Sequence, residues 1–241
     1  MNEAPSGWTT SAAAWIRQVD TFDFAREVLL DGAMLDMCGD VKGKTVLDVG
    51  CGEGRFCRML RGRGAHTTGI DPTEALLSVA KERDPAGQYV TGVGERIPFE
   101  DSSFDIVVSY LTLLDIEDYR KAIAECVRVL RPGGRFVYGN LAAFATTTGT
   151  GWVQDEKGSK LYFPIDHYID ERAMEVSWSG IKVINYHRPL SAYMTAFLKS
   201  GLILREFVEP APTLEQVAAH PEWSWDRRVP YCMGMLWEKP S

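Results

Sequence analysis

At 241 residues, with a hydrophobic share of 45% and a charged share of 24%, the chain has the length and composition of one globular domain with additions, or at most two small ones. A net charge of −7 and a sequence pI near 5.2, with no dense run of Lys or Arg, argue against nucleic acid as a partner, because phosphate neutralisation dominates such binding. No apolar stretch approaches the ~20 residues of a membrane span. Nor do the first 30 residues carry a charged-then-apolar secretory pattern, so no membrane partner and a cytoplasmic location are expected. Cys38, Cys51, Cys57, Cys126 and Cys232 are odd in number and form no C-x-x-C pair, so neither a disulfide framework nor a metal site is expected.

Residues 11–38 place Trp15, Ile16, Val19, Phe22, Phe24, Val28, Leu29, Met34 and Leu35 at spacings that predict one or two amphipathic helices. From residue 45 short apolar runs alternate with helical patterns. Strands are predicted near 45–49, 66–70, 88–91, 104–109 and 134–140, with helices near 53–63, 73–83 and 117–130. Such alternation makes right-handed β-α-β units, hence a parallel sheet flanked by helices, whose ligands bind at the carboxyl ends of the strands. Pro132, Gly133 and Gly134 are expected to stop the last of these helices at Leu130 and turn the chain into the fifth strand. The stretch 142–188 breaks the repeat. It opens on a polar loop and later offers two β-rich runs, 173–178 and 181–186, joined by the two-residue turn Ser179-Gly180. A helix over 189–200 and strands over 202–208 and 231–237 complete the chain.

Chemistry concentrates in the string VLDVGCGEG at 46–54, where an apolar run ends in Asp48 and the glycines Gly50, Gly52 and Gly54 recur at every second residue. Glycine permits positive φ and lets a ligand approach bare backbone, and the amides that open the next helix favour an anionic group. Twenty-one residues after Gly50, a second apolar segment ends in Asp71, placed to take a pair of ribose hydroxyls. Together these features predict a nucleoside-type ligand. The dinucleotide fingerprint needs G-x-G-x-x-G, one residue more than the G-x-G-x-G present here.

The string DVGCGEG resembles the first motif of the class I S-adenosylmethionine (SAM) methyltransferases. GIDPTEALLSVAKER at 69–83, ERIPFEDSSFDIVVS at 95–109 and RVLRPGGRFVY at 128–138 resemble later motifs of that family in order and spacing, over roughly residues 41–141. The resemblance implies an α/β, Rossmann-like seven-stranded, mostly parallel sheet with helices on both faces and an antiparallel last strand. It also implies an N-terminal helical cap over 1–40 and a SAM-binding domain over 41–241, in which the stretch that breaks the repeat, 146–188, is expected to be a β-rich insertion that lids the substrate. The cofactor is then SAM, with S-adenosylhomocysteine as product. Asp48, Gly50, Cys51 and Gly52 would line its methionine portion. Asp71 would take the ribose and Pro72 the adenine face, with Gly94, Glu95 and Arg96 at the adenine edge, Ser109, Tyr110 and Leu111 closing the site, and Trp15 above it. Relatives often carry an acid where this chain has Val93, so Glu95 or backbone near Gly94 is left to meet the adenine amino group.

The aromatics of the N-terminal helices, the insertion and the C-terminal loop suit a small, flat or apolar acceptor methylated at O, N or C. His187 and His167 are candidate bases, with Tyr168 beside them, since histidine titrates near neutral pH. Arg188 is placed either to hold an acidic group of the acceptor or to pair with a carboxylate such as Glu209. Two other readings compete: a nicotinamide-dependent oxidoreductase of the same early topology, and a SAM-binding regulatory protein that transfers nothing.

Overall fold

A computed structural model describes residues 7–148 and 151–241. The chain runs α1 (Trp8–Val19), a π-helical turn (Ala25–Leu30) continuing into α2 (Asp31–Cys38), β1 (Thr45–Val49), α3 (Arg55–Arg61), β2 (His66–Asp71), α4 (Glu74–Arg83), β3 (Gln88–Thr91), β4 (Phe104–Tyr110), α5 (Tyr119–Val129) and β5 (Leu130–Leu141). Then come β6 (Val153–Gln154), β7 (Lys160–Tyr162), β8 (Arg172–Trp178), β9 (Ile181–His187), α6 (Leu190–Lys199), β10 (Ile203–Val208), α7 (Leu214–Ala219) and β11 (Cys232–Glu238). Seven strands form one sheet in the order β10-β11-β5-β4-β1-β2-β3. The pairs from β3 to β5 are parallel, and β11 is antiparallel to both β5 and β10. The chain leaves β1 toward β2 and β3, then returns on the other side through β4 and β5, so a crevice opens between the ends of β1 and β4.

Strand alternation divides the core. Leu47, Val49, Val107, Phe136 and Tyr138 point to the face covered by α5 and α6, where Phe197 stacks on Trp237 at 4.9 Å. Val46, Ile106, Val108 and Val137 point to the other face, under Leu30, Met34 and Met37 and against Phe56 and Leu60 of α3. The segment 25–38 is therefore a covering layer of the sheet, while α1 stands apart and packs on β9 and α4.

β5 begins at Leu130, four residues before the predicted start, because Leu130 already pairs with Phe104 of β4 and 131–134 bulge out before Arg135 pairs with Ile106, Gly133 turning at φ 72°. β8 and β9 form a hairpin of their own. Ser179 and Gly180 have φ of 46° and 81°, as a two-residue turn of that hand requires. Ile181 and Val183 of this hairpin bury against Ala14, and Ser11 of α1 exchanges hydrogen bonds with the Lys182 backbone at 2.9 and 3.0 Å. The smaller hairpin β6–β7 sits elsewhere, where Arg228 donates to the carbonyls of Lys160 and Leu161. Among the described residues, no helix is long and apolar enough to cross a membrane.

Candidate functional site

A cavity of about 1010 Å³ lies at the carboxyl ends of β1, β2 and β4, roofed by α1 and by the end of β9. The glycine loop forms its floor. Gly50 and Cys51 donate their amides to the Ile70 carbonyl at 2.8 and 3.0 Å, and Gly54 donates to Cys51. Gly52 donates to Asp71 Oδ2 at 3.0 Å, and Thr73 to Asp71 Oδ1 at 2.8 Å. These loop amides are thus engaged within the protein, so the loop contributes shape more than free donors for an anion. Glu53, almost fully buried, anchors the loop through Arg58 and Arg83 at 2.7 and 3.1 Å.

Gly52 has φ 54°, and the nearest atom to a side chain built there is Trp15 Nε1 at 3.7 Å, so the missing Cβ leaves open cavity between loop and roof. Asp48 is buried, with the Cys57 thiol donating to Oδ2 at 3.5 Å. Burial, with Asp71 and Glu53 nearby, pushes its carboxyl up to about 7. A buried carboxyl facing a cavity in this state fits an ammonium group, which would restore its charge. Burial likewise raises Asp71 against hydrogen bonds from the Gly52 and Thr73 amides and the Thr73 side chain, which leave about one of its four lone-pair sites for a ligand. A bare loop, an acid for an amino group and an acid at the tip of β2 match the methionine and ribose portions of the cofactor that the resemblance implies. Burial also pushes the Cys51 thiol far up, which makes it a small space-filling side chain rather than a nucleophile.

Of the residues singled out from sequence, Trp15, Asp48, Gly50, Cys51, Gly52, Asp71, Pro72, Gly94, Glu95, Arg96, Tyr110 and Leu111 all line the cavity. Ser109 does not, being fully buried inside β4. Leu111 adopts φ 54° and donates to the Gly139 carbonyl at 2.8 Å, bending the chain over the site as β4 ends. Val93 also borders the cavity, in a turn closed by its bridge to Arg96. Beneath the rim, Asp31 binds Arg55 through both oxygens at 2.8 and 2.6 Å and accepts from the Tyr110 hydroxyl at 2.9 Å. The π-helical turn delivers Arg26 to the cavity, stacked 4.6 Å from the Trp15 ring.

The three candidate catalytic residues lie outside the cavity, which corrects the expectation drawn for them. His187 follows the cavity-lining Tyr186 on β9, and adjacent strand residues leave to opposite sides. Its Nε2 meets the Tyr168 carbonyl at 2.9 Å, so Nε2 carries the proton and Nδ1 accepts from the Thr146 hydroxyl at 2.8 Å. Burial lowers its basicity further, and the ring ties 146, 168 and 187 together as a structural pin. His167 is exposed between Asp166 and Asp170, and the Tyr168 hydroxyl accepts from the Leu190 amide at 3.0 Å. Arg188 neither pairs with Glu209 nor lines the cavity; it donates to the carbonyls of Leu113, Ile116 and Glu117. Among the described residues of 146–188, Tyr186 alone lines the cavity. Asp115, unmarked by the sequence reading, does line it; the signal available was an acid five residues beyond β4.

A family model described as a methyltransferase domain matches residues 47–138. The solved structure of an S-adenosylmethionine dependent methyltransferase from Listeria monocytogenes superposes with a TM-score of 0.79 at 30% identity, covering 87% of this chain and 96% of that one. Malonyl-[acyl-carrier protein] O-methyltransferase of Serratia marcescens is 35% identical over 159 residues, 64% of this chain and 62% of that protein. Phthiotriol/phenolphthiotriol dimycocerosates methyltransferase of Mycobacterium tuberculosis is 40% identical over 107 residues, 42% of this chain and 39% of that protein. The chain thus spans less than two thirds of the length of these curated relatives.

Proposed function

Because the chain belongs to the class I S-adenosylmethionine-dependent methyltransferases, we propose that it transfers the cofactor's methyl group to an O, N or C atom of a small molecule. The observation that carries this reading is the open Cβ position of Gly52 facing Trp15, between the carboxyls of Asp48 and Asp71. When bound, the cofactor supplies an electrophilic methyl carbon. The protein then has to align an acceptor and exclude water. Asp48, Gly50, Cys51, Gly52 and Tyr110 would border its methionine portion, Asp71 its ribose, and Pro72, Gly94, Glu95 and Arg96 its adenine. Small-molecule sites commonly measure about 300–1,000 Å³, so a cavity of 1010 Å³ accommodates an acceptor beside the cofactor. Trp8 and Tyr186 on the roof suit an aromatic or apolar acceptor body.

The segments 1–40 and 146–188 are proposed to cap the SAM-binding core, the second through the β8–β9 hairpin. Incubation with methyl-labelled SAM and fractionated small-molecule extracts tests the reading. Label should pass to a small molecule with release of S-adenosylhomocysteine. Melting should rise with SAM but not with NAD(P). Stabilisation by SAM without any transfer would favour a regulatory protein, and stabilisation by NAD(P) alone an oxidoreductase. The net charge of −7 supports an acceptor other than nucleic acid, and sub-micromolar binding of tRNA at physiological salt would overturn that part.

Asp71→Ala is expected to act twice. Cofactor affinity should fall by about 1.5–3 kcal/mol, the scale of hydrogen bonds to a charged group. Stability should fall as well, by about 1–3 kcal/mol for each backbone N–H left buried without an acceptor, the amides of Gly52 and Thr73 being the two concerned. Calorimetry with S-adenosylhomocysteine and urea denaturation separate the effects. An unchanged dissociation constant would remove Asp71 from the ribose site.

A further inference from the structure

We infer that Asp115 is the proton acceptor of this site, and that the methyl acceptor is a hydroxyl or amine compound whose reacting atom carries a hydrogen rather than a carboxylate. The inference rests on the methyl-transfer reading and narrows its substrate class.

The carboxylate is built into place from three directions. Its own backbone closes a turn, Asp115 N donating to Thr112 O at 2.8 Å, and the Thr112 hydroxyl donates to the Gly50 carbonyl at 3.3 Å. Asp115 therefore stands one turn from the residue that touches the glycine loop. From β9, Asn185 Nδ2 donates to Asp115 Oδ1 at 2.5 Å, and from α1 the Trp8 side chain hydrogen-bonds to the same carboxyl. Two donors from segments distant in sequence hold one half-buried acid at the cavity wall, which it lines beside Thr112 and Tyr186. A carboxylate has about four lone-pair sites, so two donors leave it able to accept from a ligand.

The environment also sets its basicity. Burial pushes the carboxyl up to about 8 against the two hydrogen bonds, with Asp71 raising it and Arg188 lowering it. A base near the working pH is best placed to take a proton in the transition state. In the step proposed, the acceptor oxygen or nitrogen forms its bond to the methyl carbon while the carbon–sulfur bond breaks and sulfur keeps the electron pair. The proton leaving the acceptor passes to Asp115. A carboxylate acceptor has no such proton to lose and makes no use of a base at this position. His187 and His167 lie outside the cavity, and no other base is needed for this assignment.

The test uses the full chain and three pools of aromatic probes, phenols, arylalkylamines and aryl carboxylates, with methyl-labelled SAM. Label is expected in the first or second pool and not in the third. Asp115→Asn, which keeps the shape and an oxygen for Asn185, should slow that transfer by about 10²- to 10⁴-fold. Asp115→Glu should restore part of it. The S-adenosylhomocysteine dissociation constant, measured by calorimetry, should stay within about two-fold, since Asp115 is assigned to the acceptor side. Independently of turnover, infrared difference spectra of the free protein should show, above the band that Asp48 contributes, a protonated carboxyl component that fades as pH rises through about 8 and is lost in the difference between wild type and Asp115→Asn. Transfer at the wild-type rate by Asp115→Asn, label in the carboxylate pool, or a band unchanged by the substitution would each overturn the assignment while leaving methyl transfer standing. Failure of the wild-type protein to bind S-adenosylhomocysteine would bring down both.

Discussion

Gly52→Val is expected to abolish cofactor binding in a protein that still folds. The backbone there has φ 54°, so a side chain adds strain of about 1–3 kcal/mol. The space a side chain would enter is open as far as Trp15, so nothing in the core is displaced. The isopropyl group would instead occupy the cavity between loop and roof. Gly50→Ala makes the contrast. At φ 75° its Cβ would overlap the Thr112 side chain, with Oγ1 at 2.5 Å, and would drive the end of β4 away from the loop. Gly50→Ala should therefore lower the melting temperature as well as the affinity, whereas Gly52→Val should retain a native far-ultraviolet spectrum and lose S-adenosylhomocysteine binding in calorimetry. Wild-type affinity in Gly52→Val would make the loop a structural turn only.

The second large effect is expected at Arg188. Its guanidinium is buried, donates to the carbonyls of Leu113, Ile116 and Glu117 at 2.7, 2.5 and 2.9 Å, and lies 4.1 Å from the Tyr119 ring. A planar fork with five donors is what three carbonyls of one loop require, and lysine cannot reproduce it. Arg188→Ala leaves those carbonyls without their donor and opens a void under Tyr119, a loss of several kcal/mol at about 1–3 kcal/mol for each buried carbonyl left unsatisfied. The loop 111–118 should then exchange its amide hydrogens faster, and Arg188→Lys should recover only part of the stability. A urea midpoint in Arg188→Ala matching wild type would show the loop to be held by other contacts.

Sequence legibility followed the range of the forces involved. β1, its loop and Asp71 were readable because apolar runs, positive-φ glycines and an acid at a strand tip each act within a few residues. Most strands fell within a residue or two of prediction for the same reason. His187 was misread because proximity to Tyr186 along the chain says nothing about which side of a strand a ring takes. Arg188 was misread because its partners are main-chain carbonyls over 70 residues away, which carry no sequence signature. Asp115 lies in a stretch that looks like the acidic approach to a helix, and its role rests on Trp8 and Asn185, brought to it only by tertiary packing. The insertion has no single fate. One hairpin reaches the cavity while β6–β7 packs with Arg228, a division that depends on which surface each hairpin finds.

The seating of α1 on β9 bears on how ligands leave. Ser11 is bonded to the Lys182 backbone, Ala14 is buried against Ile181 and Val183, and the same helix presents Trp15 toward Gly52. The Tyr186 amide in turn donates to the Leu114 carbonyl at 2.7 Å. A swing of α1 large enough to uncover the glycine loop would have to carry the hairpin with it and draw Tyr186 away from the acceptor wall. Spent cofactor and methylated product would then depart through one shared opening, and a slow swing would set the turnover rate for every acceptor alike.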